Sequence, residues 1–424
     1  MTKSTPLGDS VHHSLHNVAL GIFALWCSSV AVFESKVCAQ DNRYQISNRA
    51  ADIHARSYVF DGHNDLPWEM RTKTTRLFDE VDIAQSQPSL HTDIARLREG
   101  NVGAQFWSVY VPVETIAAGN AFQTTKEQIE IVHKMIERYP DVFALALNAD
   151  DVERVRSEGK IASLIGMEGG HSIEGSIGKL RQLYSMGARY MTLTHSETLE
   201  WADSATDLPR SDGLSPFGEE IVREMNRLGM LVDISHVSPA TMLDALRVSK
   251  APVIFSHSSA RAIADHPRNV PDEVLRELPK NGGVVMINFF SGFVVPQAAK
   301  RLVELSELRR EWKAKYPGDK EAQEREIKKW QVKNPYPAGD AEIVVDHIEH
   351  VIRVAGIDHV GLGSDYDGIS KLPVGMEDVS KYPVITELLL RRGYDEEAIH
   401  KVLSGNAMRV LRQATQEVPA TKGE

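Results

Sequence analysis

Eight short apolar runs recur between residues 58 and 368, and most of them end in a histidine or a carboxylate where the run meets a polar loop. The clearest are Tyr58 to Asp65 (YVFDGHND), Ile161 to Glu168 (IASLIGME), Tyr190 to His195 (YMTLTH), Leu231 to His236 (LVDISH), Pro252 to His257 (PVIFSH) and Val360 to Asp365 (VGLGSD). Val102 to Val111 and Gly283 to Phe290 are weaker runs that complete the set. Each is brief, rich in β-branched and large apolar residues, and followed by turn residues and a helix-like stretch, which is the pattern of a strand buried on both faces. Strands alternating with helices imply a parallel sheet, and eight such units predict an α/β fold of the closed (β/α)8 TIM-barrel type. In that fold the carboxyl ends of all strands meet at one rim. Residues scattered over some 300 positions therefore converge on one pocket.

The chain has 424 residues and 42% hydrophobic content, enough for a barrel of about 250 residues with elaborations. Its net charge of −11 argues against a nucleic-acid partner, which needs a basic surface, and favours a small solute. Val18 to Phe33 is an apolar stretch of signal-peptide length, shorter than a comfortable membrane span of about 20 residues. Small residues near Val37-Cys38-Ala39 predict cleavage there, giving a signal peptide over 1–39, an exported chain over 40–424 and no stable membrane insertion. An uncleaved signal anchor is the competing reading, because Lys3 is the only fixed positive charge ahead of the apolar stretch. Both cysteines, Cys27 and Cys38, fall in this segment, so the processed protein holds no disulfide. The polar carboxyl end predicts no glycolipid anchor.

Residues 296–340 break the alternation. Their charge density and helical spacing predict an exposed helical insertion between the seventh run and the helix before the eighth, read either as a solvated helical pair or as a lid or dimer contact.

The run ends carry the chemistry. His63 and Asp65 are two apart on a strand, which places them on one face, where such a pair can ligate a metal. His236 and His257 end consecutive strands and stand side by side on the rim, although either alone reads more readily as a satisfied buried imidazole. Glu168 ends its run before Gly169-Gly170, and a carboxylate buried there calls for a cation. One carboxylate can bridge two ions: His63, Asp65 and Glu168 hold one, and Glu168, His236 and His257 hold the other. His171, three residues after Glu168, is read either as a support for that carboxylate or as a structural histidine. The histidines at 54, 91, 133, 347, 350, 359 and 400 are read as structural or surface residues.

The segments DGHNDLPW, GMEGGHSIEG, RYMTLTHSETLEWADS, LVDISHVS, PVIFSHSSAR, HPRNVPD, GLGSDYDG and MEDVSKYP, taken together and in this order over residues 50 to 412, closely resemble the membrane dipeptidase (renal dipeptidase) family of zinc metallopeptidases. The resemblance implies a distorted barrel holding two Zn2+ ions, a dipeptide substrate and a metal-bridging hydroxide as nucleophile. It makes His63, Asp65, Glu168, His236 and His257 the zinc ligands and counts Glu168 in the catalytic set. It gives His195 and Arg268 substrate-binding roles and makes Asp365 the acid/base residue that also contacts substrate. Chemistry agrees: a histidine N–H can stabilise an oxyanion, a guanidinium fork suits a free carboxylate, and an aspartate can carry a proton to a leaving amine. Asp367 is then expected to be a turn or helix-capping residue. A homodimer, without cysteines necessarily non-covalent, is also implied. The chain has Phe289-Phe290 where the family often has a tyrosine, and this departure bears on substrate choice. Two other classes remain open from the residues. A different binuclear amidohydrolase or phosphotriesterase would begin with His-x-His and use a modified lysine, and an exported binding protein would be expected to lack a ligand.

Overall fold

In the computed structural model, which describes residues 44–75 and 77–416, every one of the eight apolar runs is a parallel strand. They are β1 (Val59–Asn64), β2 (Val102–Tyr110), β4 (Ile161–Glu168), β5 (Ala188–Thr192), β6 (Leu231–Asp233), β7 (Ile254–Ser258), β8 (Val284–Ile287) and β9 (Val360–Leu362). β1 pairs with both β2 and β9, and β2 pairs with β4 over Ala104↔Ala162 to Tyr110↔Glu168, so the ring closes. Closure between parallel strands buries both faces, which is why these strands read as unbroken apolar runs rather than as alternating ones. The signal-peptide segment, 1–39, and both cysteines lie outside the described residues; the barrel belongs to a unit that starts at Ile46.

A ninth strand, β3 (Phe143–Leu145), is absent from the sequence reading. It lies beside the first three residues of β4, and β5 joins β4 only from Ile165 onward. The barrel is thus split at its lower edge between β4 and β5. Three residues within Val142 to Leu147 are too few to show a period, and the pairing that selects them is entirely tertiary.

Local signals position the helices. Pro216–Leu228 starts behind Ser215, whose side chain accepts from Gly218 N, and stops at Gly229 with φ +75°. Pro239–Val248 repeats the Ser-Pro start with Ser238. At the opposite end of the barrel from the candidate site, Val410, Leu411 and Ala414 of the helix Asn406–Gln416 share one buried cluster with Leu231, Ile254 and Val284, the first residues of β6, β7 and β8. That helix covers the amino-terminal mouth and leaves the carboxyl rim free.

The charged segment after β8 forms two helices, Pro296–Lys315 and Lys320–Lys333. The second buries only Ala322, in keeping with its high charge. Arg310 of the first donates to Thr206 O at 2.9 Å, in the loop that follows His195. Among the described residues no helix is long and apolar enough to cross a membrane.

Where β9 ends, the barrel leaves no room for a side chain. A Cβ at Gly363 would collide with the Ser256 carbonyl oxygen, part of the rigid strand β7. Gly363→Ala is therefore expected to lower stability by about 1–3 kcal/mol, the usual cost of overpacking. A denaturation midpoint equal to that of the parent chain would show that β9 can shift freely against β7.

Candidate metal centre

Two aspartates in and just after β1 are of different kind. Asp61 is fully buried and accepts from Ser364 N (2.8 Å), Ser364 Oγ (2.7 Å), the Tyr382 hydroxyl (2.8 Å) and Gln105 Nε2 (3.0 Å). Burial pushes its carboxyl up, and these hydrogen bonds work in the opposite direction. It ties β1 to β2 and to the segment after β9, directly beneath His63. Asp65 is not on the strand, contrary to the alternation argument. The strand ends at Asn64, and Asp65 has φ −94° and ψ 17° at the start of the helix Leu66–Lys73. The turn, rather than the pleat, brings its Oδ2 to 3.3 Å from His63 Nε2.

Glu168 ends β4, and Gly169 turns the chain there with φ +113°, a conformation closed to most L-residues. Its two oxygens face different partners. Oε2 lies 3.6 Å from His63 Nε2, while Oε1 lies 3.0, 3.4 and 3.6 Å from Nε2 of His236, His257 and His195. His257 lies within β7, and His236 follows β6 by three residues with φ +65°. Asp365 stands beyond β9 with φ +66° and accepts from Asn288 Nδ2 at 2.8 Å. Left-handed backbone at a non-glycine residue costs about 1–3 kcal/mol and collects at functional sites.

The electrostatics follow from burial. It pushes the His236 and His257 pKa values well below the ordinary histidine value, and the positive Arg268 reinforces the shift, so both rings are neutral. Burial also opposes ionisation of Glu168, but the four surrounding imidazoles outweigh it and hold the carboxyl well below its usual range. For His63 the balance is reversed: burial is outweighed by Tyr190, Asp65 and Glu168, which raise it. Burial, opposed by His63 and reinforced by the Asp65 and Glu168 charges, holds Asp365 well above the carboxylate range.

Two observations show that this donor set suits a cation. His63 Nε2 is fully buried and has no hydrogen-bond partner. The Nε2 atoms of His236 and His257 point at each other 2.8 Å apart. Ligand atoms within 4.8 Å of one another form three overlapping groups: His63, Glu168 and His257; Glu168, His195 and His236; His63, Asp65 and Asp365. Imidazole nitrogens and carboxylate oxygens gathered in this way are the ligands that zinc takes. The five residues expected to hold metal are therefore together, and His195 and Asp365 are close enough to join them.

Above this cluster opens a cavity of about 530 Å³ whose lining includes Trp68, Tyr110, His195, Arg268, Phe290 and Phe293. Arg268 is only 3% exposed, and burial lowers its pKa to about 10. Its Nη atoms have only long contacts, 3.5 Å to Ser258 Oγ and 3.3 Å to His257 O, and Nε has none. Among the described residues it forms no ion pair. A buried guanidinium without a carboxylate is costly unless an anion completes it.

Several expectations need correction or completion. His171 does not reach Glu168: its Nε2 bonds to Val111 O at 2.9 Å, and Ser108 Oγ, at 3.3 Å, supports the carboxylate instead. Asp367 stands in a turn but caps no helix; it accepts from His91 N at 2.6 Å, and burial raises its pKa to about 7. His91, whose Nδ1 accepts from Asp367 N at 2.9 Å, braces a rim loop, in keeping with a structural role. Phe289 is buried against Tyr366 and Tyr382, so only Phe290 faces the cavity. Asp61, Asp233, Ser256, Tyr190 and Asn288, which hold the site from behind, escaped the sequence reading. The available signal was an aspartate inside an apolar run, in YVFDGH and LVDISH, where a charge is tolerated only with a full set of donors.

A parallel barrel with a histidine–carboxylate cluster at its carboxyl rim is the architecture of a metal-dependent enzyme, and a family model narrows the class. The model described as membrane dipeptidase, peptidase family M19, matches residues 47–422; the chain belongs to that family and is a metallo-dipeptidase by class. Solved structures agree in fold. The chain is similar to the probable dipeptidase PvdM from Pseudomonas aeruginosa, with TM-score 0.74 and 24% identity over 87% of this chain and 98% of that one. It is also similar to dipeptidase AC, a metallo peptidase of family M19, with TM-score 0.69 and 25% identity over 84% and 98% of the two chains. A third is a metallo peptidase from Rhodobacter sphaeroides liganded with a phosphinate mimic of the dipeptide L-Ala-D-Ala, with TM-score 0.68 and 24% identity over 84% and 99%.

Proposed function

We propose that this chain is an exported, zinc-dependent dipeptidase that holds two Zn2+ ions. His63, Asp65 and Glu168 bind one ion, Glu168, His236 and His257 bind the other, and Glu168 is the bridge. The observation that carries the reading is the juxtaposition of a histidine–carboxylate cluster with a buried, unpaired Arg268 on one small cavity. A free carboxylate at one end of a short substrate and a scissile carbonyl at the other would satisfy both.

When bound, the ions supply Lewis acidity and an activated water at neutral pH. The remaining work falls to side chains. Arg268 grips the terminal carboxylate and so fixes which peptide bond lies over the cluster. His195, 19% exposed at its side chain and the most open of the four imidazoles around Glu168, offers Nε2–H to the developing oxyanion. Asp365, held by Asn288, takes the proton and returns it to the leaving amine. The His63-x-Asp65 start and the glutamate bridge favour this reading over the His-x-His and modified-lysine alternative.

The purified protein is expected to contain two zinc ions per chain and to lose dipeptide hydrolysis on chelation, checked by metal analysis beside the assay. A fully active preparation with one tightly bound ion per chain would contradict the bridging role of Glu168. Arg268→Lys should raise KM at least about tenfold, because a point charge cannot replace the bidentate fork. Amidating the dipeptide's carboxyl terminus should then harm the parent enzyme far more than the variant; equal sensitivity would remove Arg268 from this role. Asp365→Asn should lower kcat at least about 10²-fold with zinc content intact, and Asp367→Asn much less. Near-normal turnover by the Asp365 variant, or zinc loss in step with activity, would sink the proton-transfer assignment.

A further inference from the structure

Behind the metal-facing histidines lies a buried relay that sets which nitrogen of His257 carries the proton. Asp233, the last residue of β6, is fully buried and accepts four hydrogen bonds. Oδ1 accepts from the backbone N–H groups of Ser235 (3.0 Å) and Ser256 (2.9 Å). Oδ2 accepts from the hydroxyls of Thr192 and of Ser256, the latter at 2.7 Å. The same Ser256 Oγ lies 2.8 Å from His257 Nδ1.

A serine hydroxyl has one proton to give. Committed to the Asp233 carboxylate, which can only accept, Ser256 Oγ can meet His257 Nδ1 only as an acceptor. Nδ1 must therefore carry the imidazole proton. Nε2 is left with its lone pair, and that atom faces Glu168 Oε1 at 3.4 Å and His236 Nε2 at 2.8 Å. His63 differs, because its Nδ1 lies 2.8 Å from the Tyr190 phenol, which can either donate or accept.

We propose that Asp233 and Ser256 are positioning residues that hold His257 in its Nδ1–H tautomer, so that Nε2 is preset as a metal ligand before any ion arrives. This rests on the reading of His257 as a zinc ligand given above. The relay spans three strands, since Thr192 belongs to β5, Asp233 to β6 and Ser256 to β7. It therefore also fixes the ring against the barrel wall, as a metal-ligating histidine requires from its outer partner.

The geometry makes a sharp prediction for Asp233→Asn. The two backbone N–H groups at Oδ1 leave only that position for the amide oxygen, so the NH2 must occupy the Oδ2 position and donate to Ser256 Oγ. The Ser256 proton is then free to turn to its nearest acceptor, His257 Nδ1, which drives the ring proton onto Nε2 and blocks the ligand. Ser256→Ala removes the Nδ1 partner altogether.

The test uses the full chain labelled with 15N-histidine, observed by NMR before and after zinc removal, with His257 assigned from the resonances lost in His257→Gln. The metal-free parent chain should show Nδ1 protonated and Nε2 unprotonated at His257. In Asp233→Asn the pattern should reverse. Competition titrations with a chromophoric chelator should show the zinc site that uses His257 weakened by about 10–100-fold in Asp233→Asn and in Ser256→Ala. An Nε2–H tautomer in the metal-free parent chain would overturn the proposal without reference to any variant. So would folded variants that keep the parent tautomer and both zinc affinities. A chain that binds no zinc at all yet shows the Nδ1–H tautomer would refute the metal reading and leave the relay standing, so the two failures are distinguishable.

Discussion

Glu168 is the carboxylate around which the other site residues are arranged. It is buried, ionised and faced by four imidazole nitrogens at 3.0 to 3.6 Å, with one oxygen toward β1 and the other toward β5, β6 and β7. A lone carboxylate in such a place would be neutralised rather than tolerated. Its ionised state is compatible with folding because four strand ends deliver partners to it at once, and they do so only because the sheet closes. Breaking the ring between β2 and β4 would remove the seven-residue pairing that carries Glu168 to the rim.

The rim is expensive in local terms and is held from below. His236, Asp365 and Asp367 adopt left-handed backbone, and Arg268 is buried without an anionic partner. Opposing these costs, Asp61 and Asp233 each gather several donors from neighbouring strands and fasten the segments that bear His63, His257 and Asp365. Hydrogen bonds contribute about 0.5–1.5 kcal/mol each, and with four at each aspartate the two hubs are of the size needed to hold strained backbone in place. Reactive groups above and inert carboxylates below form one mechanical unit.

The cavity takes its shape from the last residue of β2 and from the helices and loops that follow the strands. Trp68 and Tyr110 meet edge to face at 5.0 Å on one wall, and Phe290 and Phe293 do the same at 4.9 Å on another, next to the Arg268 guanidinium. The helical insertion reaches the loop after His195 through Arg310, and Asp340 at its end pairs with Val374 beyond the cavity-lining residues 368 to 370. Rim loops can thus vary substrate choice while the strand ends keep the chemistry constant.

The sequence by itself determined the barrel and the convergence of its site. Eight runs buried on both faces are visible as composition, and a polar residue at the end of most of them marks the rim, because a parallel barrel needs no information beyond strand order to bring those ends together. What the tertiary structure alone decided depends on partners far away along the chain. β3 exists because β4 has an unpaired edge there, and Asp65 faces His63 because a helix begins at Leu66. His171 turns to Val111 O rather than to Glu168, and Arg268 is left without a carboxylate. Asp61 and Asp233 read in sequence as interruptions of strands, and only the donors that five other segments bring to them, from Gln105, Thr192, Ser256, Ser364 and Tyr382, turn them into the supports of the site. Hydrogen bonds between residues up to 321 positions apart leave no local trace, whereas burial is written residue by residue.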